Sequence, residues 1–178
     1  PRREAGRVAH PHPRARRYRD YDAAVLVDVM PYIRHNSHMR HARDMELTGC
    51  SAGAYHAMNF FLRHPDVADT VIALSGVYQL RTYLGEYMDD AVYFHSPLHY
   101  LANLGDGHYL DLYRQSRIIL ACGQGRWEEE CLDDTRRLSQ LLAAKGINHW
   151  LDLWGHDVDH DWPWWRKQLP YFLDQVAA

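Results

Sequence analysis

Short apolar segments alternate with helix-like segments along most of this 178-residue chain. Alternation of this kind predicts a mainly parallel sheet with helices packed on both of its faces, a three-layer α/β architecture. In such sheets, functional sites form where the strands reach their carboxyl ends. The strand-like segments are residues 45–50, 70–75, 117–122 and 149–154. The helix-like segments are residues 21–35, 53–64, 128–145 and 162–176, and an irregular stretch is expected at 77–114.

The first helix-like segment carries apolar residues at helical spacing. Tyr21, Val25, Val29 and Ile33 recur every four residues, while Asp22 falls on the other face. This pattern predicts an amphipathic helix with its apolar stripe toward the core.

Length and composition favour one domain. With 47% hydrophobic residues, the chain can bury a real core but is too short for two ordinary domains. We expect a basic, irregular leader at residues 1–19 and a single domain at 20–178. The first residue is proline, as in a processed or excerpted chain.

Charge, cysteine count and hydropathy bear on whether the protein binds nucleic acid, crosses a membrane or works in a reducing compartment. A net charge of -3 with interspersed signs gives no general attraction to nucleic acid, and no apolar run approaches the roughly 20 residues that span a bilayer. Three cysteines without metal-ligand spacing predict neither a disulfide framework nor a zinc site, which favours a reducing, cytoplasmic location. A homo-oligomer is compatible with this composition.

Residues 49–53, Gly-Cys-Ser-Ala-Gly, match the Gly-x-Ser-x-Gly pattern of a nucleophile elbow between a strand and a helix. A serine hydroxyl is a weak nucleophile, so it must project from a sharp turn where a base can reach its proton. Gly49 and Gly53 are expected to leave room for that turn. We therefore predict Ser51 as the nucleophile and the Ala52 backbone N–H as an oxyanion donor.

The base is expected in the segment 154–162, between the last strand and the last helix. His160 is preferred to His156, because it directly precedes that helix and lies beside Trp162. An alternative makes the two histidines part of a metal site with Asp157, Asp159 and Asp161. Their four-residue spacing aligns two ligands only on a helix, and this segment has the composition of a loop, so no metal site is predicted.

The acid is expected in the loop that follows the strand ending at Cys122. Glu128 is the first candidate, although glutamates that open a helix can simply stabilise the positive end of its dipole. Asp152 and Asp157 are the reserve candidates. Strand alternation should turn Asp152 toward a face of the sheet, away from the strand end.

Four motifs together resemble the "putative esterase" family of the α/β-hydrolase superfamily. They are Gly49-Cys50-Ser51-Ala52-Gly53-Ala54-Tyr55-His56-Ala57, Arg63-His64-Pro65-Asp66, Ala73-Leu74-Ser75-Gly76 and His160-Asp161-Trp162-Pro163-Trp164-Trp165-Arg166. The relatives include S-formylglutathione hydrolases, feruloyl esterases and mycolyltransferases, and the likeness runs from about residue 20 to 175. It implies Ser51 as nucleophile, His160 as base and an acid in the loop that contains Glu128.

The chain departs from that family upstream. The resemblance implies further strands before residue 21 and a second oxyanion donor from a loop among them, but residues 1–20 have no strand-like pattern. The chain is therefore similar to the C-terminal part of an α/β-hydrolase-like fold that lacks the N-terminal strands.

The resulting hypothesis is a serine esterase that acts on a small-molecule ester through an acyl-enzyme and needs no cofactor. The alternative is a noncatalytic or incomplete member of the fold that binds a ligand or partner. Aromatic residues of the 77–114 stretch are expected to line the acyl or alcohol pocket. They are Tyr78, Tyr83, Tyr87, Tyr93, Phe94, His95, Tyr100 and Tyr109.

Overall fold

A four-stranded parallel sheet forms the centre of the molecule in a computed structural model that describes residues 13–37, 43–105 and 107–177. The strands are β1 (Met45–Cys50), β2 (Ala68–Leu74), β3 (Arg117–Cys122) and β4 (Trp150–Leu153). They lie in the order β1-β2-β3-β4, and each neighbouring pair is parallel. The four predicted strands and their parallel arrangement are confirmed.

Helices connect and cover these strands. They are α1 (Pro13–Ala24), a π-helical segment (Val25–Val29), α2 (Met30–Asn36), α3 (Ala52–Arg63), α4 (Arg81–Leu84), α5 (Asp90–Tyr93), α6 (Pro97–Asn103), α7 (Gly107–Arg114), α8 (Glu129–Ala144) and α9 (Trp162–Ala177). Lys145 is the C-cap of α8, and Gly146 follows in a left-handed conformation with φ +66°, as glycine permits at that position. Among the helices of the described ranges, none is long and apolar enough to cross a membrane.

Side-chain alternation along β2 and β3 builds the three layers. Val71 and Leu120 point to one face, where they pack with Phe61 of α3 and Leu138 of α8. Ile72, Leu74, Ile119 and Ala121 point to the other face, where they pack with the α9 residues Trp165, Phe172 and Val176. Because both faces are covered, these strands are apolar almost throughout, as is typical of parallel sheets.

The expectation of an irregular stretch at 77–114 is wrong, because this region contains the four short helices α4–α7. Two of these helices begin at local signals: the Asp89 carboxylate accepts the Val92 N–H at 2.8 Å at the start of α5, and Pro97 occupies the first turn of α6. Helices of four to eight residues are too short to show a helical repeat in the sequence.

The expected boundary of the leader also needs correction. Residues 1–12 lie outside the described residues, but residues 13–19 belong to α1, so this part of the predicted irregular leader is helical. Proline suits the first turn of a helix, and Arg16 and Asp20 form an exposed pair one turn apart.

The predicted apolar stripe of the first helix is not the buried one. Tyr21, Val29 and Ile33 are exposed, while Asp22 and Met30 are buried. The π-helical segment Val25–Val29 adds residues to a turn, so a 3.6-residue spacing does not stay on one face across it.

Asp22 is buried because it has partners on α3. Its carboxylate lies 3.0 Å from His64 Nε2 and 3.4 Å from Arg63 Nη2. Burial raises the pKa of this carboxyl, but the hydrogen bond from His64 and the charge of Arg63 outweigh it, so the pKa is lowered overall.

Candidate active site

Ser51 occupies a sharp turn between β1 and α3. Its backbone has φ +54° and ψ −122°, and its N–H donates to the Leu74 carbonyl at 2.9 Å. A Cβ on Gly49 would lie 2.2 Å from the backbone carbon of Gly53, whereas a Cβ on Gly53 would have no atom within 4 Å. The turn therefore needs a glycine at position 49 for close approach, and the expectation that Gly53 serves the same purpose is wrong.

A chain of hydrogen-bond contacts runs from Ser51 through His160 to Glu128. His160 Nε2 lies 2.9 Å from Ser51 Oγ, and His160 Nδ1 lies 3.1 Å from Glu128 Oε2. The Glu128 side chain is 1% exposed and that of His160 is 19% exposed. A buried carboxylate thus faces one imidazole nitrogen while the other reaches the hydroxyl.

The loops that carry Glu128 and His160 are bound together along their backbones. The Gly125 N–H donates to the Val158 carbonyl at 2.9 Å, and the His160 N–H donates to the Arg126 carbonyl at 3.0 Å. A Cβ on Gly123 would lie 2.1 Å from the Val158 carbonyl oxygen. Gly123 and Gly125, which follow the end of β3, therefore allow the two loops to come into contact.

Asp159 adds a side-chain tie between the same loops. One carboxylate oxygen accepts the Arg126 backbone N–H at 2.8 Å, and the other lies 2.9 Å from Arg126 Nη2. Hydrogen bonds from the Arg126 backbone and side chain lower the pKa of Asp159. Asp159 therefore binds the Arg126 guanidinium, whereas the alternative hypothesis made it a metal ligand.

Glu128 has partners besides His160. Ser75 Oγ donates to Glu128 Oε1 at 2.6 Å, and the Cys122 thiol donates to Glu128 Oε2 at 3.3 Å. Trp165 Nε1 in turn donates to Ser75 Oγ at 3.2 Å. The contacts of Ser75 and Trp165 with this site were not expected from the sequence, because they come from separate elements and carry no spacing signal.

Two thiols lie against the same site. Burial raises the pKa of Cys122 well above its usual range and that of Cys131 to about 12. Both thiols therefore stay protonated at neutral pH, which leaves Cys122 able to donate. Cys50 is half-buried, and burial raises its pKa as well.

The reserve candidates lie in other surroundings. His156 is exposed, with Nδ1 3.3 Å from the Gln124 carbonyl oxygen, and Asp157 is exposed. Asp152 accepts a hydrogen bond from Trp154 Nε1 at 3.2 Å. Within the described ranges, no hydrogen bond joins these three residues to Ser51 or His160.

The metal alternative finds no support in the placement of its ligands. Across the described part of the chain, the one group of ligand atoms close enough to share an ion is formed by Glu128, Cys131 and His160, whose atoms lie within 4.8 Å of one another. His156, Asp157, Asp159 and Asp161 do not belong to it. In this group, His160 Nδ1 and Glu128 Oε2 already face each other at 3.1 Å.

Four of the eight aromatic residues expected to line a substrate pocket lie away from Ser51. Tyr93, Phe94, Tyr100 and Tyr109 line a cavity of about 430 Å³ together with Leu62, Arg63, Asn103, Leu104 and Tyr113. Leu62 and Arg63 lie at the C-terminal end of α3, whereas Ser51 precedes its N-terminus. A 12-residue helix is about 18 Å long, so this cavity lies far from the turn at Ser51.

The strand order, the turn at Ser51 and the positions of the two loops define an α/β-hydrolase-like fold. The family model described as "putative esterase" matches residues 2–175, and the chain belongs to this family. The sequence matches no curated protein.

Solved structures agree on the fold. A ferulic acid esterase is 22% identical with a TM-score of 0.72, and the match covers 88% of this chain and 59% of that protein. The S-formylglutathione hydrolase from Agrobacterium tumefaciens is 15% identical with a TM-score of 0.66, covering 86% and 55%. MPT51 (FbpC1) of Mycobacterium tuberculosis is 14% identical with a TM-score of 0.66, covering 88% and 67%. The chain thus spans just over half to two thirds of these proteins.

Proposed function

We propose that this protein is a serine hydrolase that cleaves a small-molecule carboxylic ester through an acyl-enzyme. The observation that carries the proposal is the continuous contact from Ser51 Oγ to His160 Nε2 at 2.9 Å and from His160 Nδ1 to Glu128 Oε2 at 3.1 Å. Family membership and the likeness to a ferulic acid esterase and an S-formylglutathione hydrolase support the same reaction class.

In the proposed mechanism, His160 Nε2 accepts the Ser51 proton as Ser51 Oγ attacks the ester carbonyl carbon. Glu128 accepts a hydrogen bond from His160 Nδ1–H, which holds the imidazole in the tautomer that leaves Nε2 free to act as a base. The imidazolium then protonates the departing alcohol. Water, deprotonated by the same imidazole, releases the acid and restores Ser51.

The Ala52 N–H is the proposed first oxyanion donor. Ala52 begins α3, and the first N–H groups of a helix have no partner within it. Negative charge on the carbonyl oxygen is also favoured at the positive end of a helix dipole. The reaction needs no cofactor. Three free cysteines support a location of the protein in a reducing compartment, the cytoplasm.

Trapping the acyl-enzyme tests this function. The purified chain is mixed with 4-nitrophenyl acetate, quenched in acid and mapped by peptide mass spectrometry. We expect a single acetyl group on Ser51 and none in Ser51→Ala. Ser139→Ala is the matched control, since the Ser139 hydroxyl contacts His149 in a different region. An acetyl group elsewhere, or none in a folded sample, would contradict the proposal.

A chelator separates this mechanism from metal-dependent hydrolysis. Turnover of 4-nitrophenyl acetate should be unchanged after treatment with EDTA and gel filtration. Loss of turnover that Zn²⁺ restores would instead favour an ion held by Glu128, Cys131 and His160.

A further inference from the structure

Ser75 lies at the carboxyl end of β2, between the proposed acid and helix α9. Its side chain is fully buried, and its backbone has φ +53°. Its N–H donates to the Ala121 carbonyl of β3 at 2.7 Å, which fixes the residue against the neighbouring strand. The hydroxyl therefore has a defined position.

The direction of the hydrogen bonds around Ser75 follows from their donors. An indole N–H can only donate, so the 3.2 Å contact from Trp165 Nε1 uses Ser75 Oγ as the acceptor. The single Ser75 hydroxyl proton is then directed to Glu128 Oε1 at 2.6 Å. One Glu128 oxygen is held in this way, and the other, Oε2, faces His160 Nδ1.

A glutamate needs such restraint more than an aspartate does, because its longer side chain has one further rotatable bond and more conformational entropy to lose. Glu128 directly precedes α8 and is buried. Holding Oε1 fixes the carboxylate plane, and therefore the place at which Oε2 meets the imidazole.

Trp165 contacts both Ser75 and His160. While its indole N–H holds Ser75, its ring lies edge-on to the His160 ring, with 4.9 Å between centroids and 88° between planes. Trp165 is 8% exposed and is part of the core under α9. A single side chain thus fixes the imidazole directly and the carboxylate through one hydroxyl.

We propose that Ser75 and Trp165 are positioning residues that orient Glu128 toward His160 through the relay Trp165 Nε1–H to Ser75 Oγ–H to Glu128 Oε1. This inference rests on the proposed function, because it concerns the same site. It adds two residues that act through Glu128 and His160 and make no side-chain hydrogen bond to Ser51 within the described residues.

Variants that each remove one hydrogen-bond donor of the relay test it. Ser75→Ala removes the hydroxyl, Ser75→Gly removes it and also relieves the positive φ, and Trp165→Phe keeps an aromatic ring beside His160 but removes the N–H. The measurement is the inactivation of the full chain by a fluorophosphonate, separated into kinact and KI. Ser139→Ala is the control for loss of a serine hydroxyl that contacts a histidine away from the site.

We expect Ser75→Ala and Ser75→Gly to lower kinact about 10- to 100-fold, which is the range for loss of a hydrogen bond to a charged group. Trp165→Phe loses a hydrogen bond to a neutral hydroxyl and should lower kinact about 2- to 10-fold. KI should stay within about twofold in all three variants. Ser75→Ala and Ser75→Gly should agree, since the hydroxyl matters and not the backbone. Loss of less than about threefold in all variants, or a change in KI alone, would overturn the relay.

A double-mutant cycle distinguishes positioning from general stability. In the Glu128→Gln background, adding Ser75→Ala should cost less than about threefold, because the oriented carboxylate is already gone. A full 10- to 100-fold further loss would mean that Ser75 acts independently of Glu128 and would overturn the proposal. If Ser75→Ala does not fold, Trp165→Phe enters the same cycle. A loss in the Glu128→Gln background as large as the loss that Trp165→Phe causes alone would then overturn the proposal.

Proton NMR keeps this inference separate from the function itself. The His160 Nδ1 proton donated to Glu128 should give a low-field signal that Glu128→Gln removes. We expect Ser75→Ala and Trp165→Phe to shift or broaden that signal, and an unchanged signal would contradict the relay. If the unaltered chain is not labelled by the fluorophosphonate, the proposed function fails, and the NMR signal alone decides the positioning role.

Discussion

Ser51 and Glu128 lie at the two ends of one hydrogen-bonded chain, but different kinds of structure hold them. Ser51 is positioned by its neighbours in the sequence. β1 ends at Cys50, α3 begins at Ala52, and Gly49 allows the close turn between them. Glu128 is placed by Ser75, which follows β2, and by Cys122 of β3, and Ser75 is in turn held by Trp165 of α9. The nucleophile end is thus local in sequence, whereas the acid end is a tertiary assembly.

The largest effect should come from the histidine that joins the two ends. His160→Ala removes both contacts and should lower kcat/KM for 4-nitrophenyl acetate by about 10⁴-fold. His156→Ala is the matched control and should stay within about twofold, because His156 contacts a loop carbonyl and is exposed. Equal losses in the two variants would contradict the assignment of the base.

At the acid end, Glu128→Gln should lower kcat by about 10²- to 10⁴-fold. The amide of glutamine has one acceptor oxygen, so it cannot accept hydrogen bonds from both Ser75 and His160 as the two carboxylate oxygens do. The imidazole therefore loses its preferred orientation. Glu130→Gln, in the first turn of α8 and exposed, should change kcat by less than about twofold. If Glu130 mattered as much as Glu128, helix-dipole stabilisation would explain both residues better.

At the nucleophile end, Gly49→Ala and Gly53→Ala separate crowding from helix propensity. A methyl at position 49 meets backbone at 2.2 Å and should cost about 2–3 kcal/mol of stability, or about 5–10 °C in Tm. A methyl at position 53 meets nothing within 4 Å, and alanine is the better helix former, so Tm should hold or rise slightly. Thermal unfolding of both variants measures the difference, and the reverse order would contradict the account of the turn.

The smallest effect concerns the thiol beside the acid end. Burial, and then the charges of Glu128 and Glu130, raise the pKa of Cys131 from 9.0 to about 12 in the folded protein. Between these pH values the unfolded chain has lost the thiol proton and the folded chain has kept it, so stability from this group is complete below pH 9 and falls as pH rises toward 12. The free energy of unfolding, measured with a denaturant, should therefore fall less steeply with pH over this range in Cys131→Ala than in the unaltered protein. Identical slopes would contradict the burial of the thiol.

The same contrast explains how much could be predicted from the sequence. The strands, the parallel sheet and the turn at Ser51 are encoded by short runs of neighbouring residues, so periodicity and one motif suffice. Ser75 and Trp165 stand in two of the motifs that resemble the esterase family, but those motifs do not relate them to Glu128. That relation exists only after β2, α8 and α9 have packed. Likewise, the buried face of the first helix depends on the π-helical segment and on the partners of Asp22. A search for apolar residues at 3.6-residue spacing detects neither.

Mapping the adduct of a fluorophosphonate on the native chain tests the central claim most directly. The account predicts one adduct on Ser51, formed with the native protein, absent after denaturation in guanidinium chloride and absent in Ser51→Ala. Glu128→Gln should form the same adduct at a much lower rate. An adduct on another residue, an equal rate in denatured protein, or no adduct on a folded sample would contradict a serine nucleophile activated by His160 and Glu128.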